Sequence, residues 1–399
     1  MNNKALDFII PAVNQPQYKQ AKAKYGDFVD RWLYFTQQGD PLADAVMEDF
    51  DALPRGLGMK MITQALEDGI DSVENAPISL IRFFEHIDRV PFWVDSNLMK
   101  HGANLFVLNS PIYLAAFTGR VLPLGFCTYI NKSFAASNRL IEGGLSRLRA
   151  NNRHLVESFL PGGLRRDADG FKLSVRIRMI HAQMRFLLKN SPTWDKERLG
   201  IPLHAAHIAH SFSAFSAMLF RTGEMLGVKA TKLEEKGFMA VWRYVGFLLG
   251  VPEEFLTWNV EDGEHLYNVG WALEPDIDDD ARLLTHTLVK SAPLVVGIED
   301  AKEQEQLTNL IYNVSRKLLG NEIADKLEYP RFKTPISLRT IRLKTRLDSL
   351  KVKYIPGVEQ RTRLANMEKL FDVSLFQNFK ISFAVPHKVR FNKGDHEAE

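Results

Sequence analysis

The stretch Arg176-Ile177-Arg178-Met179-Ile180-His181-Ala182-Gln183-Met184-Arg185 decides how the chain is read. It lies inside a longer helical pattern running from Phe171 to Asn190. Leu173, Ile177, Ile180, Met184, Leu187 and Leu188 recur at steps of three and four, which places them on one face. His181 falls at the edge of that face. Arg178, three residues before it, and Arg185, four after, fall on the neighbouring stripe. Round its circumference the helix presents an apolar wall, then an imidazole, then two guanidinium groups.

That order suits a b-type haem. The porphyrin is an apolar disc, its iron takes an axial nitrogen from a neutral imidazole, and its propionates pair well with arginine forks. The alternative is a histidine that merely sits hydrogen-bonded beside a core face, the commoner use of such a residue.

The remaining totals narrow the field. The chain has 399 residues, 45% hydrophobic and 25% charged, enough apolar material for one large domain or two ordinary ones. A net charge of +3 gives no global support to a nucleic-acid role. The single cysteine, Cys127, excludes an intrachain disulfide and a Cys-based zinc site. The N-terminal residues lack the continuous apolar core of a signal peptide. The most apolar run, Leu105 to Phe126, is broken by Pro111, Arg120 and Pro123, so it reads as buried core rather than as the ~20 unbroken apolar residues of a membrane span. The expected location is therefore the cytoplasm.

Elsewhere the pattern is helical and no alternating strand pattern stands out. Residues 17–38 read as one helix, with Tyr18, Tyr25, Phe28, Trp32 and Phe35 at helical steps. Gly39-Asp40-Pro41 stops it, and Pro41 can open the next. Asn131 to Leu148 is helical, with Gly143-Gly144 marking a bend, and Arg147 and Asn151 stand one turn apart beyond it. Pro161-Gly162-Gly163 breaks that helix before the His181 helix begins. A further helix carries His204, His207 and His210, and another spans Lys232 to Gly250. Residues 259–270 read as a polar loop. Asp276, Asp278, Asp279 and Asp280 lack the glycine and closing glutamate of a calcium loop and fit a charged helix start. The composition becomes basic from Arg331 to Lys353, with Leu338, Ile341, Leu343, Leu347 and Leu350 interleaved. This suits either a membrane surface or a solvated helix face. We therefore expect one helical domain over 1–330 and a basic extension over 331–399, with a tail from about 393 that lacks order.

Several segments together resemble a known family. Val175-Arg176-Ile177-Arg178-Met179-Ile180-His181-Ala182 resembles the V-R-x-x-H-A-x-x-R signature of the rubber oxygenase and mycophenolic-acid oxygenase family. Trp93-Val94-Asp95 resembles its W-V-D motif. Asn138-Arg139-Leu140, Arg147-Leu148 and Asn151 resemble its G-R-L and R-L-x-x-T segments. Pro202-Leu203-His204-Ala205-Ala206-His207-Ile208 stands where the family often has P-I-N-Q-x-D-L. Phe215-Ser216 and Leu248-Leu249-Gly250-Val251-Pro252 resemble its F-S and L-G-V-P segments. The order is preserved over roughly residues 91–256.

The resemblance implies an all-α, globin-like helical core around a haem b pocket, with extra N- and C-terminal helices. It carries His181 to the proximal iron ligand, Arg178 and Arg185 to the propionates, and Arg147 to the distal side. The departures bear on the chemistry. The family's distal threonine is Asn151 here, a lysine that rubber-cleaving members place before it is Ala150, and the N-Q-x-D segment has become His204-Ala205-x-His207. No glutamate can be assigned as a catalytic base, although Glu142 lies near.

The leading expectation is a haem-dependent oxygenase acting with dioxygen on a hydrophobic carbon–carbon double bond, such as an isoprenoid one. In it His181 holds the iron, and Arg147 and Asn151 offer hydrogen bonds to oxygen. Two other readings compete. One is a haem-free metalloenzyme on the His204/His207/His210 helix, where spacing lets at most two of the three act together. The other is a helical protein that binds a hydrophobic ligand without turnover.

Overall fold

The structure is a computed structural model that describes residues 7–136, 144–192 and 194–375, with the backbone alone at 134–136, 144, 147 and 375. Among these residues there are helices and turns and no strand, as the sequence predicts. The N-terminal helices are α1 (Gln15–Tyr25), α2 (Phe28–Tyr34), α3 (Pro41–Asp51), α4 (Leu57–Asp68) and α5 (Ile78–Asp88). The expected single helix over residues 17–38 is thus two. Gly26, at φ 64°, leaves right-handed space and turns the chain between them.

The central helices follow: α6 (Ser96–Leu108), α7 (Ser110–Ala116), α8 (Leu122–Phe126), α9 (Ile130–Ala136), α10 (Gly144–Phe159), α11 (Asp169–Lys189), α12 (Lys196–Leu199), α13 (Ala205–Ser213), α14 (Leu219–Met225) and α15 (Lys232–Leu248). Helices α6 and α15 pack most closely. At their crossing Gly102 lies against Gly237, and a Cβ on either would strike the other's backbone. Thr231 and Glu234 form a capping box that fixes where α15 starts. It then buries Phe238, Met239, Val241, Trp242, Val245 and Leu248 in the core. Two π-turns, Phe117–Val121 between α7 and α8 and Ala214–Met218 between α13 and α14, touch each other.

The C-terminal helices are α16 (Val260–Leu273), α17 (Asp279–Val295), α18 (Ala301–Leu319), α19 (Asn321–Lys326), α20 (Leu338–Tyr354) and α21 (Val358–Leu375). Helix α16 replaces the polar loop expected at 259–270. Asn259 caps it, and Val260, Leu266, Tyr267, Val269 and Leu273 are buried at helical spacing behind an outer face of Glu261, Asp262, Glu264 and His265. The acidic run at 276–280 is a helix start, with Asp278 accepting the Ala281 N–H. Helix α21 lies on α6 and α10, where Asn366 Nδ2 donates to the carbonyls of Val107 and Leu108. Among the described residues no single helix is long and apolar enough to cross a membrane. The pair Ser96–Leu108 and Ser110–Phe126 reaches that length only with an 83° bend.

Candidate functional site

Helix α11 places Arg178, His181 and Arg185 on one crevice, completed by Gly39, Asp40, Ala205, Ile208, Leu249 and Gly250. The three residues that the sequence put on adjoining stripes therefore meet, and they do so against elements far away in the chain. Both arginines are 4% exposed and each is answered by a carboxylate from α3 or its cap. Arg178 makes a bidentate pair with Asp40, Nε to Oδ2 at 2.6 Å and Nη2 to Oδ1 at 2.8 Å. Arg185 donates from Nε to Asp44 at 2.8 Å and from Nη1 to the Leu203 carbonyl at 2.9 Å.

Asp40 carries two loads. It caps α3 by accepting the Ala43 N–H at 3.2 Å, and it neutralises Arg178. Burial alone would raise its pKa, but the charge and hydrogen bonds of Arg178 outweigh burial and hold the carboxyl below its usual range. Two glycines make room for these pairs. Gly250 stands at φ 78°, and a Cβ there would fall on the Asp40 carboxylate and the Arg178 guanidinium. A Cβ on Gly39 would fall on the Asp44 carboxylate.

His181 is a neutral imidazole. Desolvation, then repulsion from Arg185, lowers its pKa to about 4. The residue as a whole is only partly buried, and it lines the crevice. Its Nδ1 is buried without a hydrogen-bond partner among the described residues. So is Arg178 Nη1, while Arg185 Nη2 lies 2.7 Å from Asp44 Oδ1 without the alignment of a hydrogen bond. Two buried nitrogens, on His181 and Arg178, with spare donor or acceptor capacity around one crevice are costly unless something answers them. The void bounded by the described residues is about 10 Å³, room for one water.

Helix α10 carries the other two expected site residues. Asn151 is half-buried and does not line the crevice. Arg147 belongs to the same helix by its backbone, and its side chain lies outside the description, as do Arg139, Glu142 and Gly143. The α10–α11 pair is tied by His154, whose Nε2 lies 2.8 Å from Ser174 Oγ. Burial lowers the His154 pKa to about 4.

The three histidines at the start of α13 serve separate ends. His204 caps the helix, Nδ1 accepting the His207 N–H at 3.0 Å, and its ring stacks on His207 with centroids 3.8 Å apart. His207 Nε2 lies 3.1 Å from Glu274 Oε1. His210 stacks on Tyr267 and presses against Gly270. Among the described residues no three of His, Cys, Asp and Glu are arranged to hold a metal.

Residues 130–347 match the family described as ER-bound oxygenase mpaB/B′ and rubber oxygenase, catalytic domain. The chain belongs to this family. The match spans the His181 helix, the α10 helix and the α13 helix together. The rubber oxygenase of Streptomyces sp. (strain K30) is 25% identical over 314 residues, covering 75% of this chain and 72% of that one. The solved structure of latex clearing protein LCP in the closed state shares the fold, with a TM-score of 0.61 and 20% identity, over 84% of this chain and 89% of that one. The family's members are oxygenases, so this chain is an enzyme of oxygenase type. Asp40, Asp44 and Gly39 lie outside the matched region. The sequence places Asp40 only in the Gly39-Asp40-Pro41 break between helices, and nothing in it points to an arginine 138 residues away.

Proposed function

We propose that this protein is a haem b-dependent oxygenase that acts with dioxygen on a hydrophobic substrate bearing a carbon–carbon double bond. The observation that carries the reading is the convergence of His181 with Arg178 and Arg185 on one crevice, with buried nitrogens left over on the imidazole and on Arg178, in a chain of an oxygenase family. The donor set fits an iron macrocycle with an acidic edge. A neutral imidazole could donate a nitrogen lone pair to iron, and Arg178 keeps its Nη1 beyond the aspartate it pairs with. The void of about 10 Å³ bounded by the described residues is too small for the disc.

When bound, the haem would supply the site for dioxygen and the redox chemistry. The chain's own residues do the rest. His181 stays unprotonated above about pH 4 and offers a lone pair at neutral pH. Arg178 and Arg185 would face the propionates while staying paired with Asp40 and Asp44, so these groups together would leave the loaded site negatively charged. On α10, Arg147 and Asn151 would supply hydrogen-bond donors on the oxygen side.

The basic α20 segment is proposed as a peripheral membrane contact. Leu343, Leu347, Leu350 and Tyr354 form an exposed stripe on that helix, and it carries six Lys or Arg residues against the single acid Asp348. The absorbance spectrum of freshly purified protein, oxidised and then reduced, tests the central proposal. A Soret band that His181→Ala removes is expected. Protein that carries no haem, and takes up none when haem is added, would refute it.

A further inference from the structure

A second cavity, of about 900 Å³, opens at the other end of the α10–α11 hairpin. Small-molecule sites run from roughly 300 to 1,000 Å³, so it is large enough for one extended ligand. It shares no lining residue with the His181 crevice. Phe171 in its wall precedes His181 by ten residues, roughly 15 Å along the helix.

The walls are apolar and held in place. Ile87, Met99, Val107, Leu164, Phe171 and Val241 line it. The Pro161-Gly162-Gly163 turn forms one side. Gly162 sits at φ 75°, and Gly163 lies so close to the Glu157 carbonyl that no Cβ would fit. Helix α21 closes the opposite side with Met367, next to the Asn366 side chain bonded to α6.

The mouth is cationic. Lys100, Arg165 and Arg363 line it and are exposed. The one acid in the lining, Asp88, already accepts from Arg166 Nε at 2.5 Å. Lys100 meets the Asn97 amide and has no carboxylate within ion-pair distance among the described residues. Arg165 pairs with Asp167 at 3.3 Å in open solvent, a contact that water and salt weaken.

We propose that this cavity binds one long-chain carboxylate, its hydrocarbon along the apolar walls and its head at the mouth beside Lys100, Arg165 and Arg363. An apolar slot with a cationic mouth selects an amphiphilic anion over a neutral hydrocarbon, because the head keeps its solvent while the chain leaves water. The site is separate from the proposed oxygenase centre and does not depend on it.

Calorimetric titration of the full-length protein with oleate below its micelle concentration tests this. One site is expected, with oleyl alcohol at least tenfold weaker. Lys100→Glu should weaken oleate about tenfold and leave oleyl alcohol unchanged. Ala103→Trp, which projects into the slot, should abolish both ligands while the melting temperature stays within a few degrees. If that variant does not fold, Met367→Trp blocks the slot from the other wall. His181→Ala should bind oleate like the parent protein, which separates this site from haem loading. Absent oleate binding, equal affinity for the alcohol, or undiminished binding in both folded tryptophan variants would overturn the proposal.

Discussion

The His181 crevice and the 900 Å³ cavity are neighbours on one helix hairpin, yet they are built on opposite terms. The crevice is nearly closed, and its walls carry charge: Arg178 and Arg185 inside, Asp40 and Asp44 against them. The cavity is wide and mostly hydrocarbon-walled, and the charges in its lining are Lys100, Arg165, Arg363 and the Asp88–Arg166 pair. Charge can be kept inside a protein only when each ion has a partner, so the crevice keeps each arginine against an aspartate. Hydrocarbon walls can face a void at modest cost, so the cavity can stay open. The crevice has the properties of a site for fixed chemistry, and the cavity those of a site for a replaceable guest.

The contrast can be broken most sharply at the buried ion pair. Asp40→Ala leaves Arg178 charged and unpaired, and a loss of about 3–5 kcal/mol in urea unfolding at pH 7 is expected. The double variant Asp40→Ala/Arg178→Met should recover most of it. A loss below about 1 kcal/mol in the single variant would mean the pair contributes little and the crevice is wetter than it looks.

Acid is the next probe. His154, His181 and His210 have folded pKa values near 4, lowered chiefly by burial, against about 6.5 when unfolded. Between these values the unfolded chain binds more protons, so stability falls as pH drops from about 6.5 towards 4, and their effect levels off below that. Each histidine contributes a slope of up to about 1.4 kcal/mol per pH unit. Asp40, depressed below its usual range, contributes stability that is lost at still lower pH. Urea midpoints at pH 7 and pH 5 should therefore differ strongly, and His210→Phe should flatten the difference. An unchanged midpoint across that range would contradict the burial of these rings.

A smaller effect is expected from Gly250→Ala. The methyl group meets the Asp40–Arg178 pair and the backbone sits at positive φ, so about 2 kcal/mol should be lost. The smallest belongs to the cavity mouth. Arg165→Ala removes an exposed pair, and its stability should stay within about 0.5 kcal/mol of the parent. Melting curves of the two variants, measured together, would sharpen the contrast between a filled site and an open one.

The sequence by itself determined that the chain is helical, that His181 shares a face with Arg178 and Arg185, and that Pro161-Gly162-Gly163 ends one helix before another begins. These follow from periodicity and from the backbone limits of proline and glycine, which act within a few residues. The tertiary structure alone decided that α16 is a helix, since its five buried apolar residues sit behind a polar surface that reads as a loop. It also decided that Asp40 and Asp44 meet the arginines, and that α6, α10 and α21 leave a cavity between them. Contacts between residues more than a hundred positions apart leave no local pattern, because they arise from how whole helix faces pack and not from what any one helix prefers.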